Sequence, residues 1–171
     1  MDNAKTENRV PEGRQPVHPP ITSLMDALSF RIARLAAVNE RTGNALFRER
    51  FGLKLPEWRV LGMTHAMQPV PFNQLYRYLV MDKGQLSRTV KALTERGLIE
   101  ILPSDLDARQ IQLCTTEAGR DLHDRALTYT RERNEVTVEP LTPEECTEFM
   151  RILNKISAHN EDLALLAGVL K

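Results

Sequence analysis

Apolar positions recur at three- and four-residue steps over most of this chain, and that period predicts helices. The first stretch runs from Ile21 to about Phe51, with Leu24, Leu28, Ile32, Leu35 and Ala36 on one stripe. Ala27, Ala33, Ala36 and Ala37 within it permit close approach of another helix. A second helix opens at Pro56, since proline suits a first helical position where its missing N–H has no partner. Glu57 follows at the positive end of the helix dipole. Trp58, Val60 and Leu61 face inward, and this helix ends before Pro69.

A third short helix starts near Pro71, with Leu75 and Leu79 inward, and Val80-Met81 forms a turn. Asp82-Lys83-Gly84-Gln85 then reads as a capping box, with Asp82 as the cap and Gln85 three residues later. The helix it opens runs to Arg96 and stops at Gly97, a residue that tolerates the left-handed C-terminal conformation. There the period changes to two. Leu98–Leu102 is a short apolar strand, Pro103–Asp107 a turn, and Ile111 and Leu113 alternate with Gln110, Gln112 and Cys114, which predicts a β-hairpin. Thr116 caps a long helix to about Glu135. Thr142-Pro143-Glu144-Glu145 opens a last one, with Cys146, Phe149, Met150, Leu153 and Ile156 on one stripe.

Residues 1–20 hold four prolines among polar residues and have almost nothing to bury, so they read as a disordered arm. Residues 21–171 are then one domain. With 42% hydrophobic and only 5% aromatic residues, the expected fold class is mainly α with a small β-hairpin wing. Two short helices joined by a tight turn and followed by a hairpin make a winged helix-turn-helix lobe, about residues 52–116. Long helices at about 21–51 and 117–166 flank it and suit dimerisation.

The formal net charge is zero, which argues mildly against a nucleic-acid partner. Between Lys83 and Arg96, however, four basic residues (Lys83, Arg88, Lys91, Arg96) face one acid, Glu95. The major groove of duplex DNA admits one helix, apolar behind and polar in front. Leu86, Val90 and Leu93 supply the back. Lys83, Gly84, Gln85, Ser87, Arg88 and Lys91 supply the front. Arg88 suits bidentate contact with guanine and Gln85 with adenine, Lys91 suits a phosphate, and Gly84 lets the backbone approach. On the hairpin tip, Arg109 suits the minor groove. An ordinary surface ion pair of Arg109 with Asp107 or Asp105 is the alternative, and the two readings are compatible, with Asp107 holding the base of the wing while Arg109 reaches out.

Other chemistry is poorly represented. Cys114 and Cys146 form no CxxC or metal-ligand spacing, which excludes a disulfide framework and suggests a reducing, cytoplasmic setting. No apolar run approaches the ~18 residues of a membrane span, so no membrane partner is expected. No phosphate loop, dinucleotide fingerprint, G-x-S-x-G or HExxH is present, so the chain is not expected to be an enzyme. His18, His65, His123 and His159 are scattered, so neither a metal nor any other cofactor is expected.

Three segments together resemble the MarR family of bacterial regulators. They are Leu55-Pro56-Glu57-Trp58-Arg59-Val60-Leu61; Asp82 to Arg88, continuing through Leu93 to Glu95-Arg96-Gly97-Leu98-Ile99; and Asp105-Leu106-Asp107-Ala108-Arg109 leading into Thr116-Glu117-Ala118-Gly119. The resemblance implies a homodimer on a pseudo-palindromic operator, usually as a repressor, with Ser87, Arg88 and the wing-tip Arg109 on DNA and Asp107 steadying that arginine. It also implies a small aromatic carboxylate effector between the first two helices and the winged lobe, a neighbourhood of Ser29, Arg31, Arg34, Trp58, Met63 and His65. Two departures stand out. Thr115 replaces a usual leucine, which would loosen the wing's base, and Leu55 replaces the usual small polar cap. The alternatives are a thiol switch at Cys114 or Cys146 and a winged-helix module that binds protein rather than DNA.

Overall fold

The structure, a computed structural model, describes residues 18–103 and 111–168. The predicted first helix is broken. A 3₁₀ turn at Leu24–Asp26 ends on the extended backbone of Ala27, and helix α1 (Leu28–Phe51) follows. The cause is local. The Asp26 carboxylate accepts the backbone N–H groups and hydroxyls of Thr22 and Ser23 at 2.9–3.1 Å, offering the chain an alternative to helical hydrogen bonds. Next come α2 (Leu55–Met67), β1 (Val70–Pro71), α3 (Phe72–Leu79), α4 (Lys83–Glu95), β2 (Ile99–Pro103), β3 (Ile111–Thr115), α5 (Glu117–Val138) and α6 (Pro143–Leu166). The chain forms two compact units, residues 1–42 and 43–171.

Helix α2 manages without a small polar cap. The Glu57 carboxylate accepts from the Lys54 N–H at 2.9 Å, and Asn44 Oδ1 accepts from the Leu55 N–H at 3.0 Å. Two of the orphan donors at its N-terminus are thereby satisfied. Leu55 is left free to pack with Phe47, Ala126 and Tyr129.

The expected two-stranded hairpin is a three-stranded antiparallel sheet in the order β1-β3-β2. Val70 pairs with Leu113 and Ile99 with Thr115. The extra strand is too short to show a period. The sheet's inner residues, Val70, Ile99 and Leu113, join Leu53, Val60, Leu61, Leu75, Leu86, Val90 and Leu93 in the main core. Thr115 is buried, and both its N–H and its hydroxyl donate to Gln68 Oε1, at 2.8 and 2.7 Å. The threonine thus ties β3 to the end of α2, so its effect is opposite to the expected loosening.

Glycine fixes two junctions. Gly97 has φ +68° and ends α4, and Leu98 N–H returns to Leu93 O at 2.9 Å. At Gly119, in the first turn of α5, a Cβ would overlap the carbonyl oxygen of Leu98, so only glycine lets α5 start against the sheet. Thr116 caps that helix by accepting from the Gly119 N–H at 3.0 Å and donating to Gly97 O at 2.6 Å.

Candidate nucleic-acid interface

Helix α4 is held by its back and its ends. Leu86 and Leu93 are fully buried and Val90 nearly so. Their spacing leaves the opposite face to solvent. Asp82 Oδ1 accepts from the Gln85 N–H at 2.8 Å, the cap expected from sequence. The turn that delivers α4 contains Val80 at φ 47°, a left-handed conformation that a β-branched residue adopts only under strain. Lys83, Gly84, Ser87, Arg88 and Lys91 are exposed and Gln85 is half-buried, so the predicted reading face forms one surface.

The charges on that surface are not equivalent. Arg96 turns to the protein, donating to Gly52 O at 3.1 Å and pairing with Glu57 at 3.3 Å, so it is a structural tie. Lys91 stands 3.8 Å from Glu95, with both side chains well exposed, a contact worth little in water. Arg88 lies against Gly84, where a Cβ would stand 3.3 Å from Arg88 Nη1 and 3.2 Å from Asp82 Oδ1. Gly84 therefore makes room for the guanidinium. Among the described residues neither Lys83 nor Arg88 has an ion-pair partner. The helix N-terminus adds its own positive end beside them. Asp107 and Arg109, with Asp105, lie outside the described residues. The strands leading to them leave Ile101, Leu102 and Ile111 exposed, because β2 and β3 run past the core.

Of the residues expected around an effector, Met63 and His65 lie on different faces of α2. Ser29, Arg31 and Arg34 are exposed in the 1–42 unit, and Arg31 donates to Met25 O at 2.7 Å with Asp26 3.8 Å away. In the other unit Met63 packs on the main core, whereas His65 stacks on His123. Two residues apart on a helix means roughly 200° around it, so Met63 and His65 cannot line one wall. Trp58 and His65 are on one side of α2 and both meet His123, with ring centroids 5.5 and 4.0 Å away. His123 is the residue that sequence reasoning missed here.

The histidines are therefore not all isolated. His65 and His123 stack with planes 19° apart, and His123 Nδ1 lies 3.0 Å from Asp124 Oδ1. Burial, then the neighbouring His123, pushes the His65 pKa below its ordinary value. Cys114 is half-buried, and burial together with Glu100 pushes its thiol up, away from the reactive thiolate. Cys146, on α6, is also half-buried.

Residues 51–110 match the MarR family model. The chain is 25% identical over 167 residues to the HTH-type transcriptional repressor IacR of Pseudomonas putida, covering 95% of this chain and 100% of that one. It is similar to the crystal structure of a MarR/EmrR family transcriptional regulator from Acinetobacter sp. ADP1, with TM-score 0.72 and 25% identity over 78% of this chain and 94% of that one. It is also similar to a probable transcriptional regulator from Pseudomonas aeruginosa, with TM-score 0.67 and 29% identity over 78% of this chain and 99% of that one.

Proposed function

We propose that this chain is a sequence-specific DNA-binding transcription regulator of the MarR family, whose model matches residues 51–110. The observation that carries the reading is the exposed face of α4, where Lys83, Ser87 and Arg88 project from a buried apolar back beside a capped helix N-terminus. Arg88 reads a base edge, Lys83 and Lys91 hold phosphates, and Gln85 and Ser87 add polar contacts. Arg109 on the wing enters the minor groove, with Asp107 holding it.

The finer reading is a homodimeric repressor acting in the cytoplasm. Its lobe spans about 52–116, and the segments at about 21–51 and 117–166 join the two copies, with residues 1–20 an arm. Two kinds of observation support it. The relative in Pseudomonas putida is named a repressor, and large apolar side chains stand exposed on α1 and α6. No helix among the described residues is long and apolar enough to cross a membrane. A small aromatic carboxylate releases the DNA. A broad panel of aromatic acids that leaves DNA affinity unchanged would sink this part alone.

The test is a gel shift of the full chain on DNA from upstream of its own gene, with a pool of genomic fragments as a second target. Binding should resist nonspecific competitor and weaken with salt. Arg88→Ala should cost about 1–3 kcal/mol at the operator, while Lys91→Ala should lower the salt slope by about one. Failure on both targets would overturn the reading in favour of a protein-binding winged helix.

A further inference from the structure

One group of metal-ligating side chains comes together outside the recognition helix. It comprises His65 on α2 with His123 and Asp124 on α5, and one ligand atom from each lies within 4.8 Å of the others. We propose that these three side chains bind a divalent transition-metal ion, zinc or a close substitute, with water completing the coordination.

The chemistry of the donors favours this over plain packing. His65 Nδ1 is buried and has no hydrogen-bond partner. Buried ring nitrogens are seldom left so, and an ion supplies the missing partner. His123 Nδ1 and Asp124 Oδ1 are 3.0 Å apart. Two ligands each about 2.0–2.1 Å from a tetrahedral zinc stand about 3.3–3.4 Å apart, so this pair has to open by only a few tenths of an ångström. In the tautomer that donates from Nδ1 a proton joins them; on metal binding the ring takes the other tautomer, with its proton on Nε2, and the ion occupies the vacated Nδ1 lone pair.

The stacked rings set one requirement. At a 4.0 Å centroid distance and 19° between planes, their in-plane lone pairs run side by side. One ring turns about its outer torsion, which is broad and soft for histidine. Asp124, whose side chain is 74% exposed, follows without disturbing the core. Two imidazoles and one carboxylate suit zinc, cobalt or nickel and disfavour magnesium or calcium.

Trp58 is the chain's one tryptophan, and its ring centroid stands 5.5 Å from that of His123, a built-in reporter. The experiment titrates the full chain, made without a histidine tag and stripped with chelator, with cobalt(II) and then zinc(II). We expect saturable quenching of Trp58 at one cobalt per chain, a visible band of tetrahedral cobalt, and reversal by zinc. Magnesium should do nothing. His65→Gln and His123→Gln should weaken binding at least about tenfold, and the surface variant His159→Gln should leave it unchanged. Asp124→Asn, at an exposed carboxylate, should weaken binding with no loss of thermal stability, which separates ligation from folding. Absence of cobalt quenching, or quenching that survives in both histidine variants, would overturn the proposal.

Discussion

Single residues carry more of this lobe than their size suggests. A methyl group on Gly119 would meet the carbonyl oxygen of Leu98, a backbone atom that cannot swing aside. Gly119→Ala therefore forces α5 off the sheet and should cost roughly 3 kcal/mol, the upper end of ordinary overpacking. Calorimetry should show a fall in Tm of roughly 10 °C, and an unchanged Tm would mean α5 has room to shift. His65 makes a different kind of contribution. Its pKa is lowered in the folded chain by burial and by His123 and Arg120, against a smaller opposing pull from Asp124. Below the ordinary value of 6.5 the unfolded chain then binds more protons at this site, so stability falls with falling pH. Between about pH 7.5 and about pH 5.5, the wild type should lose more Tm than His65→Gln, measured in chelator to exclude metal. Equal losses would show that His65 titrates as freely as in the unfolded chain.

At the scale of elements, the junctions decide what each can do. Strand β3 is fixed to α2 by Gln68, whose side-chain oxygen takes both donors of the buried Thr115. Gln68→Ala leaves those donors without a partner and should destabilise by about 2 kcal/mol, seen in urea unfolding. Hydrogen exchange at the Thr115 amide should also quicken, and protection as in the wild type would place the anchor elsewhere. What the sequence revealed divides along the same line. The cap at Asp82, the apolar back of α4 and its stop at Gly97 were legible because each depends on neighbours within a turn or two. Strand β1 was not, since two residues hold no period. From sequence Arg96 counts only in the local positive charge of the helix, and its meeting with Gly52 and Glu57 shows it turned inward. The His65–His123 stack was equally hidden, because it exists only where α2 packs on α5. Ser29, Arg31 and Arg34 were grouped with Met63 and His65 from a family pattern, and helix geometry already separates the last two.

For the whole molecule, the decisive fact is how much apolar surface one chain leaves in water. Leu24, Leu28 and Leu35 are each more than half exposed in the 1–42 unit. In the other unit α6 buries no residue at all and exposes Phe149, Met150 and Ile152, while Val136 on α5 is 71% exposed. Exposed large apolar side chains on one helix are what an interface between copies would cover, which is the dimer proposed above. The zero net charge sharpens the point, since charge repulsion does not oppose association of two such chains. Phe149→Asp adds a charge to α6 without touching either core cluster. In sedimentation velocity it should shift a dimer towards monomer. Operator affinity should fall at least about tenfold with it, because a lone lobe forfeits the second half-site. Monomeric wild type, or a monomeric variant that binds the operator as tightly as wild type, would sever dimerisation from DNA recognition.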